Sequence, residues 1–373
     1  MDTMEADSAT LYSLLARHWN VGVAVERLSF DAAETVVAFA LADGRLALAP
    51  VEDAEPPKER YRRALDDGRA TISPRSRPVP PVAQVVIDGG PVHLAPFGPA
   101  GFIAGGRSGH LVRVYKSGTT EPLAEIGSGP IDAIVPTPEA GALVAAGGML
   151  VSYDSRAGTA RALSRFDGHV SALAVSPDGH HFAIGADGGL TVRSFGSDAA
   201  TISTFEVGTV LALSWSPDGR WLAASVEDVG VELVRLNDGR CFRIPDYPTP
   251  VLSLAWSPDS RHLVTSGAFR IIAWEIATFS GGPDRPASLE TGHAGLVPVE
   301  VLGLHPSRPL AAVGYRNGMV VVAQIGKRDE LIVKAPGEGA PRAMRWSSDG
   351  QHLAFATGDG EAAIVTFPPD LFK

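Results

Sequence analysis

The chain has one cysteine, Cys241, in 373 residues. A single thiol excludes an intramolecular disulfide and any metal site built from cysteines. Long apolar runs are also missing: nothing approaches the roughly 20 residues that span a bilayer. The opening MDTMEADSAT lacks the basic-then-apolar pattern of a secretory leader. These absences lead to an expected cytoplasmic location. Positive charge is short as well. With 32 Lys and Arg against 42 Asp and Glu, the net charge is −10, which disfavours nucleic acid or an anionic membrane as the main partner. Catalytic signatures are absent: there is no Gly-x-Ser-x-Gly elbow, no His-Glu-x-x-His pair and no calcium loop. The glycine pairs Gly105-Gly106, Gly147-Gly148 and Gly188-Gly189 fall between strand-like runs, whereas a phosphate cradle must open a helix. No helical period is sustained over ten or more positions, and that leaves β structure as the expectation.

Turn residues are plentiful, with 41 Gly and 29 Pro, and they recur in register. Ser176-Pro177-Asp178-Gly179, Ser216-Pro217-Asp218-Gly219, Ser257-Pro258-Asp259-Ser260 and Ser347-Ser348-Asp349-Gly350 each follow an apolar run and precede another. Pro presets φ, Asp bonds the local backbone and Gly accepts positive φ, so Asp178, Asp218, Asp259 and Asp349 are read as structural. Weaker units end their first strand at Phe30, Phe97, Thr137 and His305. The marks 30, 97, 137, 176, 216, 257, 305 and 347 are 67, 40, 39, 40, 41, 48 and 42 residues apart. A supersecondary unit copied at this period stacks into a ring or solenoid. In the fifth unit four short strands are legible: 210–216, 221–226, 231–236 and 241–244, with Asn237-Asp238-Gly239 as a hairpin turn. The expected fold is all-β, a single propeller of four-stranded blades with eight repeats counted. Seven blades are the alternative if a degenerate unit lies outside the ring. Trp215, Trp256 and Trp346 share one inner-strand position, which points to packing between neighbouring blades, and Cys241 is read as a packing thiol.

Gly-His pairs precede two inner strands, at Gly168-His169 and Gly292-His293, with Arg17-His18 as a degenerate version. Third strands end in Tyr153-Asp154 and Trp274-Glu275. In these features, over residues 10–367, the chain resembles the WD-repeat β-propeller family. The resemblance implies a ring closed by an N-terminal strand, here Thr10 to Ala16, pairing with residues 361–367. The competing reading of that segment is a short helix, since LYSLLARHW tolerates helical spacing. The resemblance also implies that His169 and His293 stabilise their blades through buried hydrogen bonds. It implies a non-catalytic scaffold for protein partners, acting as a monomer or within a hetero-complex. Carried over by position, Tyr247, Phe269, Arg270, Tyr315 and Arg316 would form one contiguous loop patch in the sixth and seventh units. Propellers of periplasmic and peptidase proteins share the Ser-Pro-Asp-Gly turn. They keep open a lactonase- or hydrolase-like enzyme, or a small-ligand binder, that uses the central channel. That chemistry needs several polar side chains converging there, and only Asp132 and Glu300 stand out where inner strands open. His181, His262 and His352 repeat in non-adjacent units, too far apart to share an ion. No catalytic residue, cofactor or metal is therefore expected.

Residues 52–83 fill the one long gap, between the first and second repeats. From Lys58 to Arg77 there are seven basic and three acidic residues. A stretch rich in Pro and Arg is expected to be a loop or extended arm. It either lies solvated on the chain's own acidic surface or presents Arg60, Arg62, Arg63, Arg75 and Arg77 to an acidic partner. A short helix fits ERYRRALDD, where Tyr61 and Leu65 are four apart. Arg outnumbers Lys, which fits a GC-rich bacterial genome.

Overall fold

In the computed structural model each Ser-Pro-Asp-Gly turn is closed the same way. Ser176 Oγ donates to Asp178 Oδ1 at 2.5 Å and accepts from the His181 amide at 2.9 Å. Gly179, at φ +69°, returns its amide to the Ser176 carbonyl. Ser216 and Asp218, Ser257 and Asp259, and Ser347 and Asp349 repeat the geometry. The serine hydroxyls are almost wholly buried, so each must be paired in both directions. The turn reverses the chain between the first and second strands of a sheet and fixes their register.

The structure describes residues 10–63, 70–127, 129–138, 141–166, 168–195, 201–279, 285–369 and 371–372, and the side chains of 63 and 70 are not among the described atoms. These residues form eight four-stranded antiparallel sheets and one two-stranded ribbon. The inner strands, blade by blade, are Val25–Phe30, His93–Pro96, Ile131–Pro136, Val170–Val175, Val210–Trp215, Leu254–Trp256, Val299–Leu304 and Pro341–Trp346. Each touches the inner strands on both sides, and the last reaches the first, so the blades form a closed ring around a channel. Eight blades are present, and the seven-bladed alternative is set aside. In the fifth, the strands are Val210–Trp215, Trp221–Val226, Gly230–Arg235 and Arg240–Ile244.

The core is not central. Eight apolar clusters each fill one interface between neighbouring blades, for example Phe39 and Val25 of blade one against Ala354 and Ile364 of blade eight. Second strands such as Val36–Leu41, Ala142–Ala146 and Trp221–Val226 are buried along their whole length, because sheets cover both faces. The repeated tryptophans add a polar link. Trp215 Nε1 donates to the Ala174 carbonyl at 3.2 Å, Trp256 to Ser214 at 3.0 Å and Trp346 to Gly303 at 3.2 Å. Each bond reaches back to the preceding blade's inner strand.

Two sequence expectations are corrected here. Thr10 to Ala16 is not the closing strand: Leu11–Leu15 is a helical turn, capped by Thr10 Oγ1 accepting from Ser13 N at 3.1 Å. Ring closure falls one element later. Ala16–Asn20 pairs with Glu361–Thr366, from Ala16 opposite Val365 to Asn20 opposite Glu361. Arg17-His18 thus belongs to the closing strand and is not a degenerate Gly-His pair. Its alternation explains the choice, with Arg17 and Trp19 buried and His18 and Asn20 exposed.

The long segment, in turn, does not separate repeats one and two. It lies inside blade one, between the third strand, Arg45–Pro50, and the outer strand, Ala83–Val86. Nor does it run free. A helical turn, Pro57–Arg60, comes one turn earlier than ERYRRALDD suggests, and Tyr61–Arg63 pairs with Ala70–Ile72. Val79 and Val82 pack on the blade-one cluster, and Trp19 Nε1 donates to the Pro80 carbonyl at 2.8 Å.

Candidate interaction face

The inner strands carry β-bulges near their starts. In six blades the register skips one residue: Glu26, Asp132, Ser171, Leu211, Glu300 and Arg342. A bulge leaves that residue unpaired and re-aims its side chain. Glu26, Glu300 and Arg342 line a cavity of about 720 Å³ in the channel, together with Arg27, Leu252, Arg316 and Arg345. Arg342 Nη1 donates to both Glu26 carboxylate oxygens, at 3.0 and 3.1 Å, and Arg316 is paired with Glu300.

The five loop residues expected as one patch divide. Phe269 is 42% exposed, Arg270 is half-buried and Arg316 is exposed. Tyr315 is a correction: it is 3% exposed and packs in the cluster between blades six and seven, which pushes its hydroxyl pKa up. Tyr247 is turned inward too. Its hydroxyl sits 2.9 Å from Thr265 Oγ1 and accepts from Trp274 Nε1 at 2.9 Å, and burial pushes its pKa up to about 12. Two further large apolar residues are exposed, Leu296 at 94% and Leu252 at 54%. The Gly295 amide donates to the Phe269 carbonyl at 2.9 Å, and the Arg316 amide to Pro298 at 3.0 Å. Phe269, Leu296 and Arg316 therefore share one rim beside the channel mouth, where Leu252 sits.

Two of the five expected cations of the basic segment, Arg60 and Arg75, are engaged internally. Arg75 donates to both Asp53 oxygens, at 2.7 and 2.9 Å, and Arg17 Nε lies 3.7 Å from the same carboxylate. Burial alone would raise the Asp53 carboxyl, but Arg75 and Arg17 outweigh it and hold it below the usual range. Arg17 also donates to the carbonyls of Pro50, Val51 and Glu52 at 2.7–2.9 Å. Arg60 donates to Leu14, Ser73 and Glu55 carbonyls at 2.6, 2.5 and 3.1 Å. The expected docking cation Arg60 instead ties the segment to the N-terminal helical turn, and Arg75 holds Asp53 beside Arg17 of the closing strand. Arg62 is exposed, Arg77 is 77% exposed at 3.9 Å from Glu55, and the Arg63 side chain lies outside the described residues.

His169 and His293 do not make the buried hydrogen bonds that the resemblance implies. Their side chains are 60% and 69% exposed, with His169 Nε2 3.4 Å from Asp132 and His293 Nδ1 3.3 Å from Glu330. The Glu330 carboxylate also accepts the His293 amide at 2.8 Å. Burial raises the pKa of Asp132, against a smaller lowering from the neighbouring His169. Cys241 is exposed and is not the packing thiol expected; its Sγ donates to the buried Glu232 at 3.1 Å, and local desolvation followed by that carboxylate pushes the thiol up to about 12. Among the described residues no three His, Cys, Asp or Glu are grouped to hold a metal, and no helix is long and apolar enough to cross a membrane.

Eight four-stranded sheets in a closed ring, sealed by a strand from the other end of the chain, define a β-propeller. The family model for the WD domain, G-beta repeat, matches residues 160–192, 200–228 and 239–275, so three stretches of this β-propeller are similar to WD repeats. No curated protein matches it in sequence. Among solved structures, it is similar to the computationally designed Ika8 protein at 18% identity and TM-score 0.67, over 95% of this chain and all of that one. It is similar also to a chain of the Mitotic Checkpoint Complex crystal structure, at 15% identity and TM-score 0.60, over 99% of both chains. At these identities the likeness is one of fold.

Proposed function

We propose that this propeller is a non-catalytic scaffold whose protein partner docks on the rim of blades six and seven. The observation that carries the reading is the exposed apolar group Phe269, Leu296 and Leu252, bordered by Arg270 and Arg316. Large exposed apolar residues gathered together mark interaction sites, and aromatic and arginine side chains dominate binding hot spots. WD40 propellers commonly serve as protein-interaction platforms. In this reading Arg62 and Arg77, the outward cations of the blade-one segment, are secondary contacts, and a chain of net charge −10 works in the cytoplasm on protein, not on nucleic acid or membrane.

The test is affinity capture from the native cell with wild-type protein and with Phe269→Ser/Leu296→Ser. Both side chains are exposed, so the variant keeps the ring. A specific partner retained by wild type and lost by the variant supports the rim. Equal capture by both sinks it, and no partner for either sinks the scaffold reading.

A further inference from the structure

Two channel arginines have no protein counter-charge of their own. Arg27, on the inner strand of blade one, and Arg345, on that of blade eight, line the same cavity of about 720 Å³. Among the described residues neither makes a hydrogen bond or an ion pair. The carboxylates nearest in charge are engaged elsewhere. Glu26, beside Arg27, is gripped by Arg342. Glu34, which acts on Arg345, accepts from the Ser348 amide at 2.8 and 2.9 Å and from its hydroxyl at 2.7 Å. Arg316 and Glu300 neutralise each other. The chamber thus holds four arginines and two glutamates, an excess of two positive charges inside an acidic protein.

Such an excess is costly. Both guanidinium groups are exposed to the channel; the ring around them lowers their pKa, and Glu26 and Glu34 restore only part of the loss. Like charges gathered in a channel repel one another, and folds break such rules chiefly at functional positions. The chamber's volume falls within the roughly 300–1,000 Å³ of small-molecule sites. Guanidinium forks match the planar, bidentate geometry of oxyanions. His93, in the neighbouring blade, is pushed down to about 3 by burial and then by Arg27 and His169, so it is neutral and adds no charge. Beyond Arg345 the channel opens into a second chamber of about 680 Å³, edged by Pro136, Pro177, Pro217 and Leu213, which leaves the excess charge concentrated around Arg27 and Arg345.

We propose that this chamber binds a small soluble dianion, a phosphate or a dicarboxylate, held between Arg27 and Arg345. The chamber shares Leu252 and Arg316 with the rim proposed for the protein partner, but the dianion site rests on Arg27 and Arg345 and does not depend on that rim. Nothing in the two side chains favours one oxyanion source, so the probes separate them.

The experiment is isothermal titration and thermal melting of the full chain with inorganic phosphate, pyrophosphate and succinate, against sodium chloride at matched ionic strength. Saturable binding of at least one probe is expected, with a rise in melting temperature that chloride does not reproduce. Phosphate or pyrophosphate alone would assign a phosphoryl ligand, and succinate alone a dicarboxylate. Arg27→Gln and Arg345→Gln should each weaken that binding tenfold or more, and the double variant should abolish it. Without ligand the variants should melt no lower than wild type, because each loses an uncompensated charge. Three outcomes overturn the proposal: no saturable binding by any probe, undiminished binding in the double variant, or a lower unliganded melting temperature in both single variants.

Discussion

Ser260 stands where the other turns have glycine, at φ +60°. A side chain in that region costs about 1 kcal/mol or more, yet its hydroxyl accepts the Asp218 amide from the neighbouring blade at 3.0 Å. Ser260→Gly exchanges strain for a lost hydrogen bond and should be nearly neutral in chemical denaturation. Ser260→Ala keeps the strain, loses the bond and should cost about 1–2 kcal/mol. Cys241, held protonated, should alkylate far more slowly at pH 8 than a free thiol, by mass spectrometry; Glu232→Gln should speed the reaction. The turn roles of Asp178, Asp218, Asp259 and Asp349 were readable because they act within four residues. Those of Tyr247 and Tyr315 were not, since whether a loop aromatic faces water depends on a chain segment far off in sequence. Glu26, the counterpart of Asp132 and Glu300, was hidden by a smaller slip. Asp31, not Phe30, takes the turn serine's place in blade one, bonding Val36 as Ser176 bonds His181, so the first repeat is misaligned by one residue.

At the scale of elements, the seam between blades eight and one is held by the closing strand and by the segment folded across it. Asp53 is 4% exposed between Arg75 and Arg17, and removing one member of a buried ion network strands the others. Asp53→Ala should therefore cost roughly 3 kcal/mol, read by chemical denaturation. Limited proteolysis of the variant should release the N-terminal strand early. Because the folded carboxyl titrates below the unfolded one, its contribution is complete above about pH 4 and is lost as the pH falls through the folded value. Asp53→Asn should flatten that part of the acid unfolding curve. The existence of a closing strand was legible, but its place was not. Leu11, Leu14 and Leu15 suit a helix or a strand equally, and only the burial of Arg17 and Trp19 against blade one decides the register.

Taken whole, the ring was the most legible feature, since eight marks at near-constant spacing leave few architectures. The channel was the least legible. Its charged chamber is lined by blades one, seven and eight and the entry to blade six, from residues as far apart in sequence as Glu26 and Arg345. His93 gives the ring a second acid response. Its folded pKa of about 3 lies below the unfolded value near 6.5, so the unfolded chain binds the extra proton. Stability should decline as the pH drops from about 6.5 towards 3, and His93→Gln should remove part of that slope in melts recorded across the range. The closing strand also has a consequence in time. Residues 16–20 are made long before their partner, residues 361–366. At about 5–20 residues per second the first edge waits some tens of seconds on the ribosome, unpaired and carrying Trp19. During that interval two nascent copies emerging side by side can exchange closing strands, so dimers linked through blade eight are the by-product to look for when the protein is overproduced.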